Sequence, residues 1–363
     1  MKWSWKIARI SGIDVKIHLT FLLLIAWIGY SYWIAQKSVI AVVNGILFIA
    51  LLFLFVVLHE FGHALAARKF GIATTDITLL PIGGVARIEK MPKEPKQELW
   101  VALAGPLVNL FLAIALYAGL FLTNGISNIS QVTLTNGSLL ARLAGVNLSL
   151  ALFNLIPAFP MDGGRVLRAL LGTRMSYAKA TQTAATFGQG FALVFGIIGL
   201  FSNPFFLFIA LFVWIGAGQE SSSVQVSESI GGIPVRQAMI TNFQSLSPAQ
   251  RISDAVTAIL SGYQQDFPVM NGSQLVGVLT RPAILQTIAN EGTTVNITSV
   301  MESNFAIVNA DDTLDSAMEK LQACSCASIP VLEQDRLVGL VTRENIGEYL
   351  MIQSALKRSK ATV

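Results

Sequence analysis

Three residues able to bind a metal or move a proton, His59, Glu60 and His63, stand at the end of the apolar run "FLFVVLHEFGHALAARKF", Phe53 to Phe70. Polar side chains in hydrocarbon are costly unless paired, so a cluster there marks a functional site. The two histidines of "HEFGH" lie at i and i+4, and on a helix both imidazoles project from one face. Together they can offer two nitrogens to one zinc ion. Glu60 is rotated about 100° from His59 around the helix axis, which suits a water beside the metal better than the metal itself. Zinc lowers the pKa of such a water towards about 7, and a carboxylate can take its proton and pass it to a leaving amine. The structural alternative is a pair of hydrogen-bonded core histidines. Against it, the chain has 3 histidines, and two of them make this motif.

A catalytic zinc usually has three protein ligands and one open position. His18, the remaining histidine, sits at the start of the first apolar run and reads as an interfacial residue. Asp162 in "FNLIPAFPMDGGRVLRAL" is the carboxylate best placed to be the third ligand. Pro157 and Pro160 forbid a regular helix ahead of it, and irregular backbone at membrane depth is tolerated only when buried in protein or lining a wet cavity. The alternative is that Asp162 caps a helix beginning at Gly163. Asn154, upstream in the same run, could donate hydrogen bonds to a substrate carbonyl or make only an interhelical contact.

These residues need a membrane scaffold. Of 363 residues, 53% are hydrophobic and only 13% charged, against roughly one quarter charged in a soluble domain. Mean hydropathy is +0.61. Six stretches are apolar enough to span a bilayer: 19–35, 40–67, 99–122, 139–159, 187–201 and 204–219, the last two being short and split by "SNP". Nothing at the start reads as a cleaved signal. A net charge of +4 is too small for a nucleic-acid footprint. The cations are patterned: Lys2, Lys6, Arg9 and Lys16, then Arg68 and Lys69, Arg87 to Lys96, and Arg165 to Lys179 all fall on one side of a six-span arrangement. By the positive-inside rule that side is the cytoplasm of a cell-membrane protein, with the N-terminus and the C-terminal domain both inside. Between the second and third spans, "TTDITLLPIGGVARIEK" reads as two short strands around Pro81–Gly84. Their exposed edge could pair with a substrate helix once it has unwound.

From about Val235 the chain repeats itself at an offset of 62: "FPVMNGSQLVGVLTR" lies over "IPVLEQDRLVGLVTR", and Met239/Met301, Pro268/Pro330 and Gly277/Gly339 coincide. Each copy reads as strand, helix, strand, strand, helix, over 235–291 and 297–353, and the two pair into one soluble α/β domain. The serine-rich residues Gly218–Gly232 read as a linker, giving a membrane domain over 1–220, a junction over 221–234 and the repeat domain over 235–363. Cys324 and Cys326 have neither metal-ligand nor redox spacing and read as reduced thiols.

The membrane half resembles the site-2 protease family of intramembrane zinc metalloproteases. "HEFGH" matches its zinc-and-glutamate motif, "NLIPAFPMDGG" its Asn–Pro–Asp–Gly signature, "PIGGVAR" its glycine-containing membrane loop and "LAGPLVN" its third span. The resemblance implies a polytopic α-helical domain with one zinc held by His59, His63 and Asp162, Glu60 as acid/base and Asn154 positioning substrate. It also implies hydrolysis of membrane-spanning proteins, anti-sigma factors among them. The repeats resemble a tandem cystathionine-β-synthase (CBS) pair, a common adenine-nucleotide sensor. The family's ribose-binding aspartate, three residues after the threonine of "GVLTR" and "GLVTR", is Ala283 in one copy and Asn345 in the other. That departure argues against tight nucleotide binding and leaves docking or dimerisation as the alternative role. The expected protein is a zinc intramembrane endopeptidase regulated by a CBS pair. The competing reading is a membrane scaffold of the same fold that does not cut, but such a scaffold has no use for Glu60.

Overall fold

The computed structural model describes residues 3–81, 83–88, 91–124, 138–262, 264–324 and 326–361. The chain forms two compact units, Met1–Val224 and Gln225–Val363.

The first unit opens with a sheet where the sequence suggests only a basic arm. Strands β1 (Ser4–Ile10) and β2 (Ile13–His18) make a hairpin whose turn, Ser11–Gly12, has positive φ at both residues. β2 pairs in parallel with β3 (Thr74–Leu80), which pairs antiparallel with β4 (Gly83–Ile88), in the order β1-β2-β3-β4. The β3–β4 hairpin is the one expected around Pro81–Gly84; Ile82, Glu89 and Lys90 of that segment lie outside the described residues. Alternation explains the extra strands: Ile13 and Val15 join Ile77 and Leu79 in one buried cluster with Phe53, Val57 and Phe61. Two cations of the arm are paired within the sheet, Lys6 with Asp14 at 2.7 Å and Lys16 with Asp76 at 3.4 Å. Burial raises the Asp76 carboxyl, but the Thr78 hydroxyl and the charges of Arg87 and Lys16 outweigh it and leave the group below the ordinary carboxylate value.

The helices that come next among the described residues are α1 (Leu19–Gln36), α2 (Val39–Lys69), α3 (Pro95–Asn124), α4 (Leu139–Asn154), α5 (Asp162–Gly172), α6 (Tyr177–Phe201) and α7 (Phe205–Ile230). Of these, α1, α2, α3, α6 and α7 are the 5 long and apolar enough to cross a membrane. Their outward faces carry Ile40, Leu122, Phe201 and Phe208, each at least 70% exposed, an apolar surface that suits lipid rather than water. His18 is the N-cap of α1, its Nδ1 accepting from the Thr20 backbone.

Three boundaries differ from expectation. α4 stops at Asn154, with turns through Leu155–Met161, because Pro157 and Pro160 supply no N–H and push their preceding residues out of the helical region. α6 is 25 residues rather than the short 187–201 stretch. Its first turns are too polar to register as a span, but Ala180, Thr181, Ala184 and Ala185 bury them against protein. The serine-rich stretch after Gly218 continues α7 to Ile230, whose side chain is buried in the second unit's core.

The second unit holds the two repeats. The first copy has α8 (Ile252–Ser261), β5 (Phe267–Asn271), β6 (Gln274–Leu279) and α9 (Arg281–Glu291). Its expected first strand is reduced to a single bridge, Leu246 to Val269. The second copy has β7 (Val308–Asn309), α10 (Leu314–Cys324), β8 (Ser328–Glu333), β9 (Arg336–Thr342) and α11 (Arg343–Ala361). The copies hold each other reciprocally: a Cβ at Gly277 would meet Met301 Sδ at 2.7 Å, and one at Gly339 would meet Met239 Sδ at 2.9 Å. Matching methionines thus pack on matching glycines across the pair. Cys324 and Cys326 form a disulfide rather than the expected free thiols, the end of α10 bringing their Cα atoms to 5.1 Å.

Candidate metal centre

His59 and His63 lie one turn apart in the last third of α2, both buried, with Nε2 atoms 3.1 Å from each other. Asp162 is the first residue of α5. Its Oδ2 is 3.3 Å from His59 Nε2 and 3.2 Å from His63 Nε2. The helix begins at Asp162 rather than Gly163, with Met161 as N-cap and no side-chain capping bond. The carboxylate faces the histidines instead of the helix end.

The trio fits a zinc ion. Bonds of about 2.0–2.1 Å in a tetrahedron give ligand–ligand edges of about 3.3 Å, close to the three spacings here. His63 Nδ1 is 2.7 Å from the Val101 carbonyl, which can only accept, so Nδ1 carries the proton and Nε2 turns a lone pair towards the other two groups. Space for an ion is kept by α3: a Cβ built at Gly105 would lie 2.2 Å from His63 Nε2 and 2.7 Å from His59 Nε2. Among the described residues these three are the one cluster of His, Cys, Asp or Glu with ligating atoms within 4.8 Å of one another.

Glu60 projects beside the trio and not into it. It lines a cavity of about 350 Å³ together with His59, His63, Gly84, Asn154, Asp162 and Arg165. A second cavity of about 420 Å³ adjoins the same residues, with Glu60, Gly84 and Asn154 again in its wall. Gly84 is where β4 passes the acid: a Cβ there would be 2.9 Å from Glu60 Cγ. β4 is the last strand of its sheet, so one edge of it is free of strand partners among the described residues. All five residues singled out from the sequence therefore meet in one place, Asn154 as the last residue of α4.

The supports of the site are far less legible in the sequence. Val101 acts through its backbone carbonyl, which leaves no mark on residue type. Gly105 stands out only as part of "LAGPLVN". α5 is anchored by Arg168, 1% exposed, whose Nε donates to Glu98 of α3 at 2.7 Å and Nη1 to Glu220 of α7 at 2.5 Å. Its guanidinium also lies 4.8 Å from the Tyr177 ring centre and 5.1 Å from that of Phe159. In the repeat domain, Asn345 receives the Thr342 hydroxyl at 2.6 Å, so the residue standing at the ribose-binding position bonds within its own turn.

The model of peptidase family M50 matches residues 47–197, and the CBS domain model matches residues 297–352. A zinc metalloprotease of Methanocaldococcus jannaschii is 36% identical over 348 residues, covering 95% of this chain and 96% of the relative. A putative zinc metalloprotease of Synechocystis sp. is 29% identical over 328 residues, with 86% of this chain and 84% of the relative covered. The solved site-2 protease from M. jannaschii is 40% identical, covers 60% of this chain and 95% of that one, and superposes with a TM-score of 0.45.

Proposed function

Because this chain belongs to peptidase family M50 and is a zinc metalloprotease, we propose that it hydrolyses peptide bonds of membrane-spanning proteins within the bilayer. The observation that carries this reading is the meeting of His59, His63 and Asp162 beside Glu60, in a cavity walled by apolar helices and the edge of β4. His59, His63 and Asp162 would hold one zinc ion per chain, which when bound supplies Lewis-acid polarisation of a carbonyl and a water acidic enough to deprotonate near neutral pH. Glu60 takes the proton from the attacking water and delivers it to the leaving nitrogen as the C–N bond breaks. Asn154 donates to a substrate carbonyl. β4 receives the substrate as an added strand, because a helix hides its scissile carbonyls in its own hydrogen bonds until it unwinds.

α4, 16 residues long, serves as a sixth span in addition to the five longer helices. It crosses with help from the turns that come after it, where Ala158, Phe159 and Met161 are buried in protein. An even number of spans puts the N-terminus and the repeat domain on the cytoplasmic side of the cell membrane, as the basic residues ask. Residues 1–220 form the protease and 235–363 a regulatory CBS pair, controlled by a protein partner or by homodimerisation more than by adenine nucleotide, given Ala283 and Asn345. Membrane-bound regulators such as anti-sigma factors are the substrate class that fits.

The test is metal analysis of the purified protein together with cleavage of a single-span substrate. About one zinc per chain with cleavage inside the span is expected. Zinc without cleavage of any single-span substrate would favour the scaffold reading instead.

A further inference from the structure

We propose that Asn109 is a substrate-binding residue of this protease, its carboxamide holding a backbone amide of the unwound substrate segment. The proposal rests on the reading that the substrate is a membrane-spanning polypeptide.

Asn109 lies on α3, one turn beyond Gly105 and so on the same helix face. That face is pressed on α2: a Cβ at Gly62 would be 2.8 Å from the Ala104 carbonyl oxygen. Asn109 is 1% exposed, and its Oδ1 is buried with no hydrogen-bond partner among the described residues. Folded proteins rarely leave a buried acceptor unpaired. A partner that arrives only with the substrate explains the unpaired acceptor.

The location agrees. Asn109 lines the cavity of about 420 Å³ together with Gly83, Gly84 and Val85 of β4, Glu60 and Asn154. An extended peptide presents N–H and C=O groups along both edges. Once β4 pairs with one edge, the other still needs partners. A carboxamide carries both an acceptor and donors, which matches a peptide group better than a hydroxyl or a carboxylate does. Asn109 and Asn154, from different helices, supply that second edge.

A purely structural Asn109 makes the opposite prediction. Replacing an unpaired buried amide by an apolar group of similar shape removes a penalty and should be neutral or stabilising. The experiment uses the full chain and compares Asn109→Leu and Asn109→Ala with wild type for KM, kcat, zinc content and Tm on a single-span substrate. Binding of the uncleaved substrate is measured in a Glu60→Gln background. The expected result is a loss of about tenfold in kcat/KM, carried mainly by KM, with binding weakened by a similar factor and zinc and Tm retained. Asn109→Ala carries the same readout should the leucine not be accommodated. Wild-type KM and binding in a folded variant would overturn the assignment while leaving the protease reading intact. A wild-type protein that neither binds nor cleaves the substrate would overturn both.

Discussion

Gly105 of α3 stands so close to His63 that a Cβ on it would lie 2.2 Å from the ring's Nε2. Hydrogen at this one position leaves the volume between the two imidazoles and Asp162 open to an ion. Gly105→Ala should therefore displace the histidine pair, and zinc content and cleavage should fall together. The overpacking itself costs about 1–3 kcal/mol, so the variant should still fold. Zinc analysis beside a thermal melt checks this; full zinc occupancy in the variant would refute it.

Asp162→Ala should lose both metal and activity. The N-cap of α5 is Met161 and not Asp162, so removing the carboxylate does not cost the fold the roughly 1 kcal/mol of a lost cap. Metal-free wild type and the variant should melt alike. An active variant with about one zinc per chain would return Asp162 to a structural role.

For Glu60→Gln the expectation is retained zinc, retained Tm and cleavage slowed by at least about 10²–10⁴-fold, the usual contribution of a general acid–base group. The amide keeps the shape of the side chain but cannot take a proton. Turnover close to wild type would mean that some other group moves it.

Arg168 joins α5 to α3 and α7 through Glu98 and Glu220. Arg168→Met should destabilise the membrane domain by about 3–5 kcal/mol, because it strands the buried Glu98 carboxylate. Adding Glu98→Leu should recover much of the loss, since an apolar pair of similar volume can replace a buried ion pair. Melting temperatures of the single and double variants decide it; no recovery in the double variant would show that the clamp acts through something other than charge.

Spacing and composition alone make part of this protein legible. His59, Glu60 and His63 can be read because one helical turn fixes their relation, and the apolar runs because lipid demands their length. The repeat can be read because two copies keep their methionines, glycines and prolines in step. Contacts between residues far apart in the chain were settled only by packing. Asp162 reaches the histidines only because Pro157 and Pro160 end α4 and let α5 start at the metal site. The carbonyl of Val101, the open space at Gly105 and the unpaired amide of Asn109 are set by how closely α3 packs on α2. The sheet over Ser4–His18 is hidden in the sequence for a similar reason: its alternation is short and crowded with lysine and arginine. Only β3, brought alongside β2 after a whole helical hairpin, gives Ile13 and Val15 a core to face.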